Sequence, residues 1–244
     1  MSPPLVSVVT VARDDAAGLA RTLASVRLQD HPRIQHIVID GASRDGTREL
    51  LARATPAPEW LSEPDDGPYD AMNKGLRRAR GDWVVFMNAG DCFACPDALA
   101  ALLSATGPGV ALVSADYLRP SPGGGTMRRR SGPLVGPFGL VRSLCHQAIL
   151  FRRSELAGGY DVSLRLCADL DVLLALRRRH ADGFRHVDRA LVVYEGGGLS
   201  ERDYAALHAE RERVVARHFG PAVRLVNRLN HLRIRAVRML LDRP

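Results

Sequence analysis

Apolar residues in this chain gather into short runs separated by helix-spaced patterns. The runs are LVSVVTV (5–11), IQHIVID (34–40), EWLSE (59–63), DWVVFMN (82–88), GVALVSAD (109–116), QAILFRR (147–153) and FRHVDRALVVY (184–194). Most are apolar at successive positions, which marks strands buried on both faces. Between them, Leu19, Leu23 and Val26 fall on one helical face, and GASRDGT opens a helix through Glu49 and Leu51. YDAMNKGLRRA reads as a helix ending near Gly81, and Pro96 to Leu103 and ADLDVLLALRRRHADG (168–183) form two more. Strands alternating with helices predict an α/β fold with a mostly parallel central sheet flanked by helices. In such sheets ligands bind beyond the carboxyl ends of the strands, which is where Asp40, Glu63 and the Asn88–Asp91 segment fall.

Two stretches break this rhythm. Residues 117–140, YLRPSPGGGTMRRRSGPLVGPFGL, are dominated by Pro and Gly and read as a long functional loop or lid carrying Arg128, Arg129 and Arg130. From Ser200 the chain is helical to near its end, interrupted at Gly220-Pro221. This predicts a main domain over 1–200 and a C-terminal helical extension over 201–244. Within the extension Leu225, Leu229, Leu232, Ala236 and Leu240 fall on one stripe, with Arg224, Arg228, Arg235 and Arg238 interspersed. A basic amphipathic helix of this kind lies on an anionic membrane surface or packs on the domain or a second subunit; the pattern leaves these open.

Composition narrows the function classes. The 244 residues are 46% hydrophobic, enough for a substantial core. No run of about 18 apolar residues predicts a transmembrane helix. The start, MSPPLVSVVTVARDD, lacks the basic head and cleavage site of a signal peptide, so a cytoplasmic protein is expected, at the inner face of the membrane if the tail binds lipid. The net charge of +7 rests almost wholly on arginine, with Lys74 the single lysine. That reads as codon bias; with 5% aromatics and no recognition motif, nucleic-acid binding is not expected. Cys92 and Cys95 form a C-x-x-C and Cys145 precedes His146, but Cys167 stands alone, so free thiols are expected ahead of a structural zinc.

The chemistry begins with VIDGASRDGT (38–47). Helix capping explains Asp45 or Thr47 but not Asp40 at a strand end, where a carboxylate can accept from a base N–H or a ribose hydroxyl. The loop is neither a phosphate-cradling GxxxxGK[ST] nor a GxGxxG fingerprint. In FMNAGD (86–91) an apolar strand delivers an acid to its carboxyl end, which suits Mg²⁺ or Mn²⁺ held by one or two carboxylates and phosphate oxygens.

These segments together resemble a known family. VSVVTVARDDAAGLARTLASVRLQD, HIVIDGASRDGT, SEPDDGPYDAMNKGLRRARGDWVVFMNAGD, CHQAILFRR, ADLDVLLAL and EGGGLS stand in the order found in family 2 glycosyltransferases of the bacterial surface-polysaccharide type, which have the GT-A (Rossmann-like) fold. The resemblance covers roughly residues 5–200. It implies that Thr10 and Arg13 line the nucleotide pocket, that Asp40 contacts the base with Ser43 nearby, and that Glu63, Asp66, Asp70 and Lys74 border the nucleotide and its phosphates. Asn88 to Asp91 stands at the family's D-x-D metal signature, with Asp91 as the ligand. His146 and Gln147 would sit near the sugars, and Asp169 stands where the catalytic base lies. Two departures from the pattern are N-A-G-D in place of D-x-D and Ala168-Asp169 in place of two acids. Asp171 competes for the role of base, but two residues along a helix are about 200° apart, so only one can face the cleft.

The resemblance implies an inverting, metal-dependent transferase moving a sugar from a nucleoside-diphosphate sugar to a saccharide or lipid-linked saccharide, in polysaccharide or glycolipid biosynthesis. A homodimer is compatible with it. The alternatives are a non-catalytic nucleotide-sugar binder or partner subunit, and a sugar-phosphate nucleotidyltransferase. VTVARDDAAGLAR lacks the Gly-rich basic signature expected of the last.

Overall fold

The computed structural model describes residues 2–121, 123–142 and 144–241, with the side chains of all but 138, 199, 200 and 234–241. The chain runs β1 (Val6–Ala12), α1 (Ala16–Arg27), β2 (Ile34–Asp40), α2 (Thr47–Arg53), β3 (Glu59–Ser62), α3 (Pro68–Arg78), β4 (Trp83–Phe86), β5 (Cys92–Phe93) and α4 (Ala98–Ser104). It continues through β6 (Leu112–Pro120), β7 (Thr126–Arg129), β8 (Ile149–Arg152), α5 (Ala168–Arg179), β9 (Phe184–Val193), α6 (Leu199–Arg202), α7 (Tyr204–His218) and α8 (Pro221–Leu241). The strands form one sheet in the order β3-β2-β1-β4-β8-β6-β9-β5, with β7 on β6. β1, β2, β3 and β4 pair in parallel, and β6 runs parallel to β9. β8 lies antiparallel between β4 and β6, so those two point the same way. The α/β architecture with a mostly parallel, helix-covered sheet therefore holds, with β5, β7 and β8 reversed.

The apolar runs explain this packing. Along β1, Val9 and Val11 join a core under α3, α5 and α7, while Val6 and Val8 join another under α1 and α4. Burying each such side chain contributes about 1.5–3 kcal/mol. Asp15 caps α1, its carboxylate accepting from Gly18 N at 2.9 Å. Pro68 opens α3, and Gly75 lets that helix close on β1: a Cβ there would meet Val9 Cγ1 at 2.3 Å. The parallel register aligns Ala12, Asp40 and Ser62 side by side at one edge.

The 117–140 segment differs from the expected loop. β6 continues to Pro120 and returns as β7, pairing Tyr117 with Arg129, around a turn in which Gly124 and Gly125 have φ of 87° and 72°. Pro and Gly there mark the turn, while the flanks pair through backbone groups that polar side chains do not oppose. A division at 200/201 falls inside α6, and Val214 and Val215 of α7 belong to the main core.

Candidate active site

The N-A-G-D segment is a tight turn from β4 into β5, held from α1. Thr22 Oγ1 donates to Asp91 O at 2.7 Å and accepts from Gly90 N at 3.1 Å. Gly90 takes φ of 96°, a conformation that favours glycine. The turn tucks Asp91 inward, leaving it 4% exposed. Its Oδ2 accepts from Gln147 Nε2 at 2.8 Å and its Oδ1 from Glu195 N at 2.9 Å. Burial pushes its carboxyl up to about 7, with the negative charges of Glu195 and Asp15 adding to the shift against those two hydrogen bonds. Asn88 Oδ1, in the same turn, is buried with no hydrogen-bond partner. A buried carboxylate among acids beside an orphaned amide oxygen is a hard-oxygen donor set that fits a divalent cation whose remaining ligands come from phosphate or water.

A continuous path of contacts runs from Asp91 to Asp169. Gln147 is preceded by His146, which exchanges a hydrogen bond with Tyr160 Oη at 2.8 Å and stacks on Phe86 with centroids 5.1 Å apart. Tyr160 packs on Tyr69 at 5.5 Å, and Tyr69 Oη donates to Asp169 Oδ1 at 2.8 Å. Burial pushes the Cys145 thiol up to about 12, and the charges of both Asp91 and Asp169 contribute to that rise. Asp169 is half-buried in the first turn of α5. Asp171 faces away, accepting from His218 at 2.9 Å and lying 3.7 Å from Arg217.

A cleft of about 450 Å³ opens beyond the ends of β1 and β2, lined by Arg13, Asp14, Gly41, Ala42, Arg44, Pro64 and Asp65. Asp14 and Ala42 hold left-handed backbone, φ 50° and 57°, strain of the kind that collects at binding sites. Arg13 stands on its wall, with Nη1 3.9 Å from Asp65. Asp40 lies fully buried beneath it, accepting from Ser43 N, Ser43 Oγ and, at 2.6 Å, Ser62 Oγ. Ser43 Oγ accepts in turn from Asp14 N at 2.8 Å, so Asp40 and Ser43 brace the cleft floor.

Several sequence expectations land elsewhere. Thr10 is wholly buried and its hydroxyl is spent on His36 Nε2 at 3.0 Å, so it lines no open cleft. Asp66 points to solvent and its neighbour Asp65 turns into the cleft. Lys74 is held by Glu63 at 3.0 Å, Asp70 at 3.3 Å and Pro64 O at 2.6 Å, so these three residues pin the 63–66 segment to α3 instead of presenting a free cation. His146 is sealed in the aromatic cluster, where burial lowers its affinity for a proton against the charge of Asp169. Arg128 is taken up by Asp116 and Asp188. Asp15, Asp65, Tyr69 and Glu195 were not legible in the sequence as site residues.

Asp116, His186 and Asp188 bring three ligand atoms within 4.8 Å of one another, the one such His/Cys/Asp/Glu cluster among the described residues. The Arg128 guanidinium already binds both carboxylates there, so a cation would compete with it.

Comparison with known proteins identifies the family and the fold. An uncharacterised glycosyltransferase of Mycobacterium tuberculosis is 40% identical over 194 residues, covering 71% of this chain and 69% of the relative. A PGL/p-HBAD biosynthesis glycosyltransferase of the same species is 30% identical over 214 residues, covering 82% of this chain and 80% of the relative. The fold matches a mannosyltransferase from Pyrobaculum calidifontis, solved with GDP-Man and Mn²⁺, with a TM-score of 0.64 and 22% identity; the match covers 91% of this chain and 64%, just under two thirds, of that one. The model of Glycosyl transferase family 2 matches residues 7–162, and on that match and those relatives this chain belongs to glycosyl transferase family 2.

Proposed function

We propose that this transferase moves a glycosyl group, with inversion, from a nucleoside-diphosphate sugar to a hydroxyl of a saccharide or lipid-linked saccharide in bacterial envelope biosynthesis. The observation that carries the reading is the unbroken path Asp91–Gln147–His146–Tyr160–Tyr69–Asp169, which links two carboxylates far apart in sequence through side-chain contacts and one peptide bond. The acceptor oxygen attacks the anomeric carbon as Asp169 takes its proton, and the nucleoside diphosphate leaves with the electron pair of the broken C–O bond. Tyr69 fixes the direction of the Asp169 carboxylate, and Gln147 and Glu195 N fix that of Asp91. The nucleoside end lies in the cleft of Arg13, Asp14 and Asp65. Asp91, with Asn88, would hold a divalent cation, Mg²⁺ or Mn²⁺, which when bound neutralises the leaving diphosphate. The envelope assignment draws on the PGL/p-HBAD biosynthesis relative.

The test incubates the protein with Mn²⁺, UDP-, GDP- and dTDP-sugars and a panel of saccharide and lipid-linked saccharide acceptors, and measures nucleotide release. Release that falls on the order of 10²–10⁴-fold in Asp169→Asn, with nucleotide binding kept, supports transfer. Binding of a nucleotide sugar without release in the native protein, across the acceptor panel, or release indifferent to Asp169, overturns it.

A further inference from the structure

Helix α8 has two apolar faces, and the domain uses only one. On the inner face Val223 packs on Gly139, close enough that a Cβ there would meet it at 2.7 Å. Asn227 donates to Gly139 O at 3.0 Å and accepts from Val141 N at 3.0 Å. On the outer face Leu225, Leu229 and Leu232 are 57%, 56% and 51% exposed. Their spacing puts them on one stripe over two turns. Arg224, Arg228 and Arg233, all exposed, run beside it. The sequence 221–241 carries five arginines and no Asp or Glu.

We propose that this outer face docks in the plane of an anionic lipid surface. The leucines would enter the boundary between headgroups and acyl chains, and the guanidinium groups would bind lipid phosphates, with their stems lying along the apolar layer. Charge decides the occupant. Two copies packed through this face would bring arginine rows together with no acid on either helix to offset them, whereas an anionic bilayer complements every one. Among the described residues no helix is long and apolar enough to cross a membrane, and the docking proposed is in the plane of the surface. The proposal stands on α8 alone, and its failure would leave the transferase reading untouched.

Full-length protein is sedimented with vesicles of phosphatidylcholine alone and of phosphatidylcholine with phosphatidylglycerol at about 3:1. Binding is expected on the order of tenfold or more stronger to the anionic vesicles, and weaker as salt is raised. Leu225→Ser/Leu229→Ser/Leu232→Ser and, separately, Arg224→Gln/Arg228→Gln/Arg233→Gln should each reduce binding about tenfold or more. Both should keep the native unfolding temperature and nucleotide binding, since none of these side chains is buried. Absence of binding, or equal binding to both vesicle types that the arginine variant leaves unchanged, overturns the proposal. So does a concentration-dependent dimer that the leucine variant dissolves, which would assign the face to a second copy.

Discussion

Asp91 shows how a single burial sets a pH dependence. Its partners are neutral dipoles, and among the described residues no ion pair reaches it. Its carboxyl moves from 3.8 to about 7 because the fold disfavours the charged form. The sign follows: between those values the native state holds a proton that the unfolded chain releases, so stability falls as pH rises from about 4 to about 7 and levels off above. The loss is on the order of a few kcal/mol. Denaturant unfolding in chelator across this range should show the decline, and Asp91→Asn should flatten it. Above pH 7, Mn²⁺ should raise the unfolding temperature of the native protein and leave that of Asp91→Asn unchanged. At α5 the expected contrast is kinetic. Asp169→Asn should lose turnover, while Asp171→Asn, whose native carboxylate pairs with His218 and Arg217, should keep kcat near native and lose some stability. Sequence placed Asp91 and Asp169 on the right elements, because an acid after an apolar strand and an acid opening a helix are local signals. It could not choose Asp65 over Asp66, since the turn backbone decides which of two adjacent carboxylates faces inward. Nor could it find Glu195, which meets Asp91 only because β5 pairs with β9.

Among the elements, α7 controls how α5 presents its acid. Glu210 is buried at 5% exposure and accepts from the backbone N–H of Arg165, Leu166 and Cys167, at 2.8 Å for the first and 2.6 Å for the last. Cys167 is the N-cap of α5 and gives the helix no side-chain cap, its thiol donating instead to Leu207 O at 3.7 Å, so the remote carboxylate holds the chain that enters the helix. An anion at a helix N-terminus also suits the dipole. Glu210→Ala would leave these donors buried and unsatisfied, which should cost about 2–4 kcal/mol. It should also lower kcat without a matching rise in donor KM, because Asp169 lies two residues beyond Cys167 while the cleft proposed for the nucleotide is built elsewhere. Glu210→Gln, which keeps an acceptor, should recover part of both losses; urea unfolding and steady-state kinetics measure them. No local pattern announces this contact, since Glu210 sits among ERER like any solvated charge. The strands, by contrast, were legible in the apolar runs. The β6–β7 hairpin was not, because exposed edge strands carry no apolar signature.

For the whole molecule, the question is where the transferase body ends. A boundary at 200 is where strand and helix stop alternating, but the core does not stop there. Val214 and Val215 lie against α5, and Glu210 secures the loop before it. We propose that the body extends through α7 and that α8 is the appended part. Two truncations separate these divisions. Ending the chain after Asp203 removes Glu210, Val214 and Val215 together, leaving exposed core and orphaned donors, and should give protein that does not unfold cooperatively. Ending it after Gly220 removes the Val223 contact and the Asn227 bonds to Gly139 and Val141, a loss of about 1–3 kcal/mol. That should lower the unfolding temperature by roughly 2–12 °C while a single cooperative transition remains. Nucleotide binding should survive in the longer truncation, since the cleft of Arg13, Asp14 and Asp65 is built from β1, β2 and the approach to α3. Binding to anionic vesicles should vanish in it. If the shorter chain instead folds cooperatively and binds nucleotide as well as the longer one, α7 is an appendage, and the hold of Glu210 on the segment before α5 is dispensable to the fold.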